Sequence, residues 1–186
     1  MNSQEKNIIR KEILNKLRNQ KEEDRKRKSR IILEKLFADP GFQCSHTILF
    51  YASFDGEVDT FEMMNRAKNQ GKRIALPVIS LPQKTMIPCY VNNLNEDLEK
   101  GPYDIKQPKA SRAETLPADE IDLSIVPAVA FDAQNHRLGR GAGYYDRFLA
   151  TFLKRKTAIG LAFDFQILDF LPVEEHDIPV TRVISN

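Results

Sequence analysis

Residues 47–79 read TILFYASFDGEVDTFEMMNRAKNQGKRIALPVI, and the architecture of the chain turns on them. Thr47–Ala52 is a compact run of β-branched, aliphatic and aromatic residues, the composition of a strand buried on both faces. A polar loop follows over Ser53–Asp59. Thr60–Gln70 then returns to helical spacing with Phe61, Met64 and Ala67 inward, and Gly71 suits the left-handed residue after a helix end. Arg73–Ile79 reads as a second strand. A helical connection of this length joins strands that lie parallel, through a right-handed crossover. The stretch therefore predicts an α/β fold: a single-domain three-layer sandwich with a mostly parallel sheet flanked by helices.

Working upstream, Ile9, Ile13 and Leu17 recur every four residues and share one face of a helix. A second helix is predicted over Glu23–Phe37, presenting Ile32, Leu33, Leu36 and Phe37, and Asp39-Pro40-Gly41 stops it. Residues 1–38 thus form a helical pair packed on the body. Downstream, Met86–Val91 reads as a strand, and Asn92–Ala118, polar and holding three prolines, as one long loop of the kind that is functional or mobile. Leu123–Val126 is a short strand ended by Pro127. A helix over Tyr145–Leu153, a strand over Thr157–Phe163 and a last strand with its preceding loop within Asp177–Ile184 complete the pattern. With 186 residues and 41% hydrophobic content, the chain can bury one core and is predicted to be one domain, 1–186.

The formal charge of +2 is too small to imply nucleic-acid binding. It is unevenly spread, however: residues 1–30 carry eleven Lys or Arg against five acids, and the remainder seventeen against twenty-one. A basic arm of this kind suits a nucleic acid, a nucleotide phosphate or nothing beyond a solvated helix face. No run approaches the ~20 apolar residues of a membrane span, and the charged first turns do not suit a secretory signal. The expectation is a cytoplasmic protein with no membrane or nucleic-acid partner, a monomer. The two cysteines, Cys44 and Cys89, lack the spacing of a zinc site or disulfide framework and read as free thiols with packing roles.

The chemistry concentrates in Arg137-Leu138-Gly139-Arg140-Gly141-Ala142-Gly143-Tyr144-Tyr145-Asp146-Arg147. Glycines at alternate positions permit positive φ and turn several N–H groups toward an anion, and the following helix adds its positive end. Arg137 and Arg140 supply guanidinium groups able to bind phosphoryl oxygens bidentately. The string lacks the Lys-Ser/Thr ending of a P-loop and the full dinucleotide fingerprint, so the spacing by itself suits either a phosphate cradle or a structural turn.

Taken with Phe131-Asp132 before it, the whole string resembles the signature of the 5-formyltetrahydrofolate cyclo-ligases. The likeness runs the length of the chain: Lys6 and Arg10 in the arm, Asp55-Gly56-Glu57-Val58-Asp59-Thr60 after the first strand, Ile105-Lys106-Gln107-Pro108, and Glu175-His176-Asp177 fall in family order. The resemblance implies ATP as co-substrate, bound by Lys6, Arg10, Arg137, Leu138, Gly139, Arg140, Gly141, Ala142, Gly143, Tyr144 and Tyr145. It implies a reduced formyl folate against Ala52, Glu57 and Tyr103, beside Arg140, Gly141, Ala142, Gly143 and Tyr144. It implies Mg2+ at Asp146 and Asp177, an ion satisfied by one or two carboxylates with phosphate oxygens and waters. Arg140 and Tyr144 are the expected catalytic groups. The small-molecule partners follow, and so does the reaction: ATP-driven cyclisation of 5-formyltetrahydrofolate to 5,10-methenyltetrahydrofolate through a phosphorylated formyl (iminium phosphate) intermediate. The readings this displaces are a nucleic-acid-binding module and a sugar-phosphate isomerase or acyl-transferase relative that keeps the loop without ATP. Three positions depart from the family pattern: Ala128 and Asn135 stand where glycine is usual, and Thr181 where aspartate is.

Overall fold

The computed structural model describes residues 2–153 and 156–186. In chain order its helices are α1 (Asn2–Asn19), α2 (Glu22–Ala38), α3 (Pro40–Cys44), α4 (Phe61–Asn69) and α5 (Tyr144–Phe152). The strands are β1 (Thr47–Leu49), β2 (Arg73–Ser80), β3 (Thr85–Tyr90), β4 (Leu98–Lys100), β5 (Lys106–Pro108) and β6 (Glu114–Thr115), followed by β7 (Leu123–Val126), β8 (Ala130–Asp132), β9 (Arg137–Leu138), β10 (Thr157–Ala162), β11 (Ile167–Leu168) and β12 (Arg182–Ser185). The main sheet has seven strands in the order β12-β10-β7-β1-β2-β3-β6. From β12 to β2 every neighbouring pair is parallel, and β3 and β6 add an antiparallel edge.

Period-two alternation splits the core between the two faces of this sheet. Ile48, Ile74, Leu76, Leu123, Ile125, Ile159 and Leu161 pack with Ile13 and Leu17 of α1, Ile32, Leu33 and Leu36 of α2, Phe42 of α3, and Met63, Met64 and Ala67 of α4. Leu49, Ala75, Val126, Ala158 and Ala162 pack on the other face with Phe148, Leu149 and Phe152 of α5. Helices on both faces of a mostly parallel sheet are what residues 47–79 predict.

Several boundaries move. Ladder pairing in the first strand stops at Leu49, although Phe50–Ala52 stay buried and the Phe50 N–H still donates to the Ala75 carbonyl. Phe61 is only half-buried, and Met63 joins Met64 in the core instead. The 92–118 segment is not one structureless loop: β4 and β5 form a small antiparallel hairpin, and β6 extends the main sheet. Its prolines sit at the margins of these short pieces, where no ladder donor is needed. Cys89 is buried as expected, but Cys44 is exposed at the end of α3.

A second sheet of three strands, β11-β8-β9, carries the glycine-arginine string. It is fixed to the main sheet by side-chain shape. A Cβ on Gly160 would lie 2.4 Å from the Phe131 ring, so only glycine in β10 lets β8 approach. Gln166 donates from Nε2 to the carbonyls of Ala128 and Val129. The family departures fit here. Asn135 takes the left-handed conformation (φ 66°) that asparagine tolerates better than most residues. Ala128 has no positive φ and is buried. The Thr181 hydroxyl accepts from the Ala158 N–H at 3.0 Å, so the tail keeps an acceptor on β10 where a carboxylate is usual.

Candidate functional site

The string leaves β9 at Leu138 and enters α5 at Tyr144, with Gly141 and Gly143 at φ 104° and 69°. Both values lie where an L side chain is strained, which is why the string needs glycine there. Gly139 is glycine for another reason: a Cβ would lie 2.7 Å from Arg137 Nη1, which folds back under its own loop. Gly143 caps α5 without a side-chain hydrogen bond, so the orphan N–H groups of the first turn face outward with the positive end of the dipole.

Four guanidinium groups surround this loop, and each is held differently. Arg10 reaches across from α1 and donates from Nε to the Gly139 carbonyl at 2.9 Å. Arg137 is buried, donates from Nη2 to Asp146 Oδ1 at 2.6 Å and lies 5.6 Å from the Tyr145 ring centroid. Arg147 binds the Ala142 and Lys84 carbonyls and lies over the Tyr144 ring, tying the loop to the β2–β3 turn. Arg140 points into the 54–57 loop, donating from Nη1 to Asp55 Oδ2 at 2.9 Å and from Nη2 to Glu57 Oε1 at 3.2 Å, with the Phe54 ring 4.1 Å from its central carbon.

Glu57 is nearly closed off from solvent, with 6% exposure. Burial pushes its carboxyl up to about 7, against the opposing pull of Arg140 and the Phe54 N–H. Tyr51 is raised by burial, by Glu57 and by Tyr145, and its hydroxyl donates to the Val58 carbonyl. Tyr145 is raised by burial and by Glu57. Among the described residues, Tyr145 OH and Arg137 Nε are buried with no hydrogen-bond partner. They are two of four such atoms among the described residues, the others being Gln20 Oε1 and Ser124 Oγ, and these two lie beside the glycine loop.

The structure brings together Arg10, Glu57 and the whole of Arg137–Asp146, with Ala52 buried just ahead of the Glu57 loop. It does not bring all the expected residues to the loop. Lys6 is buried against the tail, its Nζ 2.6 Å from Asp177 Oδ2 and 3.5 Å from Glu174. Burial raises Asp177, but Lys6 and the Glu174 N–H outweigh it and hold the carboxyl below its usual range. Tyr103 stands at the β4–β5 tip, 66% exposed, with φ 60°. Among the described residues, no group of three or more His, Cys, Asp or Glu side chains could hold a metal unaided. Concavities of about 480 and 460 Å³ open on the α1–α2 face beside Phe165 and between α2 and β12, and no residue of the glycine loop lines either. Convergent polar groups, rather than cavity size, define the site.

Four contacting residues were given no role from the sequence: Phe54, Asp55, Arg18 and Arg147, although Asp55 and Arg147 lie within the quoted strings. Arg18 carries a weak signal, since it follows Arg10 by two four-residue steps along α1. Asp55 lies inside a polar turn and looks like any solvated acid.

Comparison with known proteins shows the family of the chain. A family model described as the 5-formyltetrahydrofolate cyclo-ligase family matches residues 2–186. An Escherichia coli K12 protein named 5-formyltetrahydrofolate cyclo-ligase is 37% identical over 148 residues, 78% of this chain and 81% of its own length. A Mus musculus protein of the same name is 32% identical over 184 residues, covering 95% and 91%. Among solved structures, the Aquifex aeolicus 5,10-methenyltetrahydrofolate synthetase superposes with a TM-score of 0.83 at 31% identity, over 96% of this chain and 88% of that one.

Proposed function

The chain belongs to the 5-formyltetrahydrofolate cyclo-ligase family, and we propose that it closes 5-formyltetrahydrofolate to 5,10-methenyltetrahydrofolate while converting ATP to ADP and phosphate. The observation that carries this reading is Arg140, which leaves the glycine loop and meets buried Glu57, so that one side chain joins a phosphate cradle to a carboxylate suited to pterin N–H donors. Ring closure requires N10 of the folate to attack a formamide carbon and expel its oxygen, a poor leaving group. In the proposed sequence the formyl oxygen attacks the γ-phosphorus and ADP departs, giving an iminium phosphate at N5. N10 then attacks that carbon, the carbon–oxygen bond breaks, phosphate leaves and the N10 proton is lost. No protein nucleophile is needed, and the protein supplies alignment and charge stabilisation.

The residues divide accordingly. The loop N–H groups, the α5 N-terminus and Arg10 receive the triphosphate, and the N–H donors of Arg140 not used by Asp55 and Glu57 face the transferred phosphoryl group. Tyr144 borders it. Glu57 and Ala52 border the pterin, and Tyr103 reaches it only by movement of the β4–β5 tip. Lys6 acts through Asp177 as an anchor of α1 to the tail. Magnesium, held by Asp146 and Asp177 together with phosphate oxygens and waters, would neutralise charge on the phosphates; each carboxylate has one oxygen on a cation at 2.6 Å, Asp146 Oδ1 on Arg137 and Asp177 Oδ2 on Lys6, and Asp146, in the first turn after the glycine loop, is the better placed. The protein is proposed to work on these small molecules as a cytoplasmic monomer. Purified protein with magnesium, ATP and 5-formyltetrahydrofolate should develop methenyl absorbance with stoichiometric ADP. Product formation without ATP would refute the reading.

A further inference from the structure

Asp55 is the point where the amino-terminal helix and the glycine loop meet. Its carboxylate takes Arg18 bidentately, Nε at 2.9 and 3.1 Å and Nη2 at 2.9 Å, and takes Arg140 Nη1 at 2.9 Å on the same Oδ2. The turn presenting it is forced. Asp55 and Gly56 are both left-handed, at φ 50° and 84°, and a Cβ on Gly56 would stand 2.2 Å from the Leu17 carbonyl. Gln20 at the end of α1 seals the approach by donating to the Gly56 carbonyl at 2.8 Å. The same helix meets the glycine loop eight residues earlier, through Arg10 on Gly139. The helix therefore grips both the loop that bears Arg140 and the loop that receives it.

From this geometry we propose that Asp55 is a positioning residue for the cyclo-ligase reaction: flanked by Arg18, it holds the Arg140 guanidinium in one orientation, with its plane over Phe54 and its remaining N–H donors turned to the phosphoryl group. An unrestrained arginine would lose rotamer freedom on meeting each phosphate, and a clamped one has already lost it. Arg18 also favours the ionised clamp: its hydrogen bond to Asp55, assisted by Arg140 and opposed by burial, holds the Asp55 carboxyl below its usual range.

The inference rests on the proposed function for its kinetic consequence but not for its structural one, and the two are tested apart. Asp55→Asn keeps the size and the tolerance of left-handed φ while removing the charge. It should lower kcat about tenfold with the KM for ATP changed by no more than about twofold, and add less than about twofold when placed on Arg140→Ala. NMR of the arginine side-chain N–H groups gives the independent reading: the Arg140 guanidinium should be rotationally slow in the parent and fast in Asp55→Asn. Additive kinetic losses, or an Arg140 as rigid in the variant as in the parent, would overturn the role of Asp55. A parent protein that makes no methenyl product would overturn the reaction instead, with the NMR comparison still deciding the clamp.

Discussion

Of the turns that hold backbone at positive φ, two are built oppositely. In the Arg137–Gly143 loop the positive φ values fall on Gly141 and Gly143, and Arg10 and Arg147 brace the backbone from outside. At the β4–β5 tip they fall on Tyr103 and Asp104, where the braces are local: backbone hydrogen bonds from Gly101 N–H to Ile105 and from Ile105 N–H to Pro102, and an exposed Lys100–Asp104 pair at 3.7 Å. The first turn spends its glycines on geometry that must not move, because charge has to be met at a fixed place. The second stores strain in side-chain-bearing residues at an exposed tip, a feature that marks a functional segment more often than a structural one.

The comparison can be sharpened first through the acid beside the glycine loop. Glu57, beside the glycine loop, has a carboxyl raised by burial from the usual 4.5 to about 7. Between those two values the native state binds the proton and the unfolded state does not, so stability falls as pH rises through this window and levels off above it. The loss is on the order of 3 kcal/mol at most. Urea midpoints across pH 4 to 8 should show that decline in the parent and lack it in Glu57→Gln.

A smaller effect separates the two backbones. Gly143→Ala places a side chain at φ 69° and pushes against the flexible end of Arg147, and should cost about 1–2 kcal/mol in chemical denaturation. Tyr103→Gly should do the reverse and raise stability by about 0.5 kcal/mol, since relief of left-handed strain exceeds the extra unfolded-chain entropy of glycine. Equal signs for the two substitutions would erase the distinction.

Sequence patterning reached these two regions unequally, for the same physical reason. The β1-α4-β2 unit was legible because burial on both faces of a parallel sheet writes itself as continuous apolar runs, and the glycine loop because positive φ selects for one residue type. Short pieces such as β4 and β5 have three residues each, too few for any period, and their prolines imitate a loop. The ends of the site were harder still. Lys6 meets Asp177 across 171 positions, and Arg140 meets Asp55 across 85. Nothing local distinguishes an aspartate that will clamp an arginine from one that faces water, so Asp55 has no role of its own in the sequence reading, and the metal role of Asp177 comes there from the family resemblance alone. Cys44 errs the other way, since a short helix end leaves exposed a residue type that is usually buried.

The central claim is that Arg140 joins the phosphate cradle to the folate pocket and acts on the transferred phosphoryl group. Steady-state kinetics of Arg140→Ala test it most directly: kcat should fall on the order of 100-fold or more while the KM for 5-formyltetrahydrofolate changes by only a few fold. A variant with parental kcat and a raised folate KM would contradict it, because Arg140 would then bind substrate without touching the chemistry.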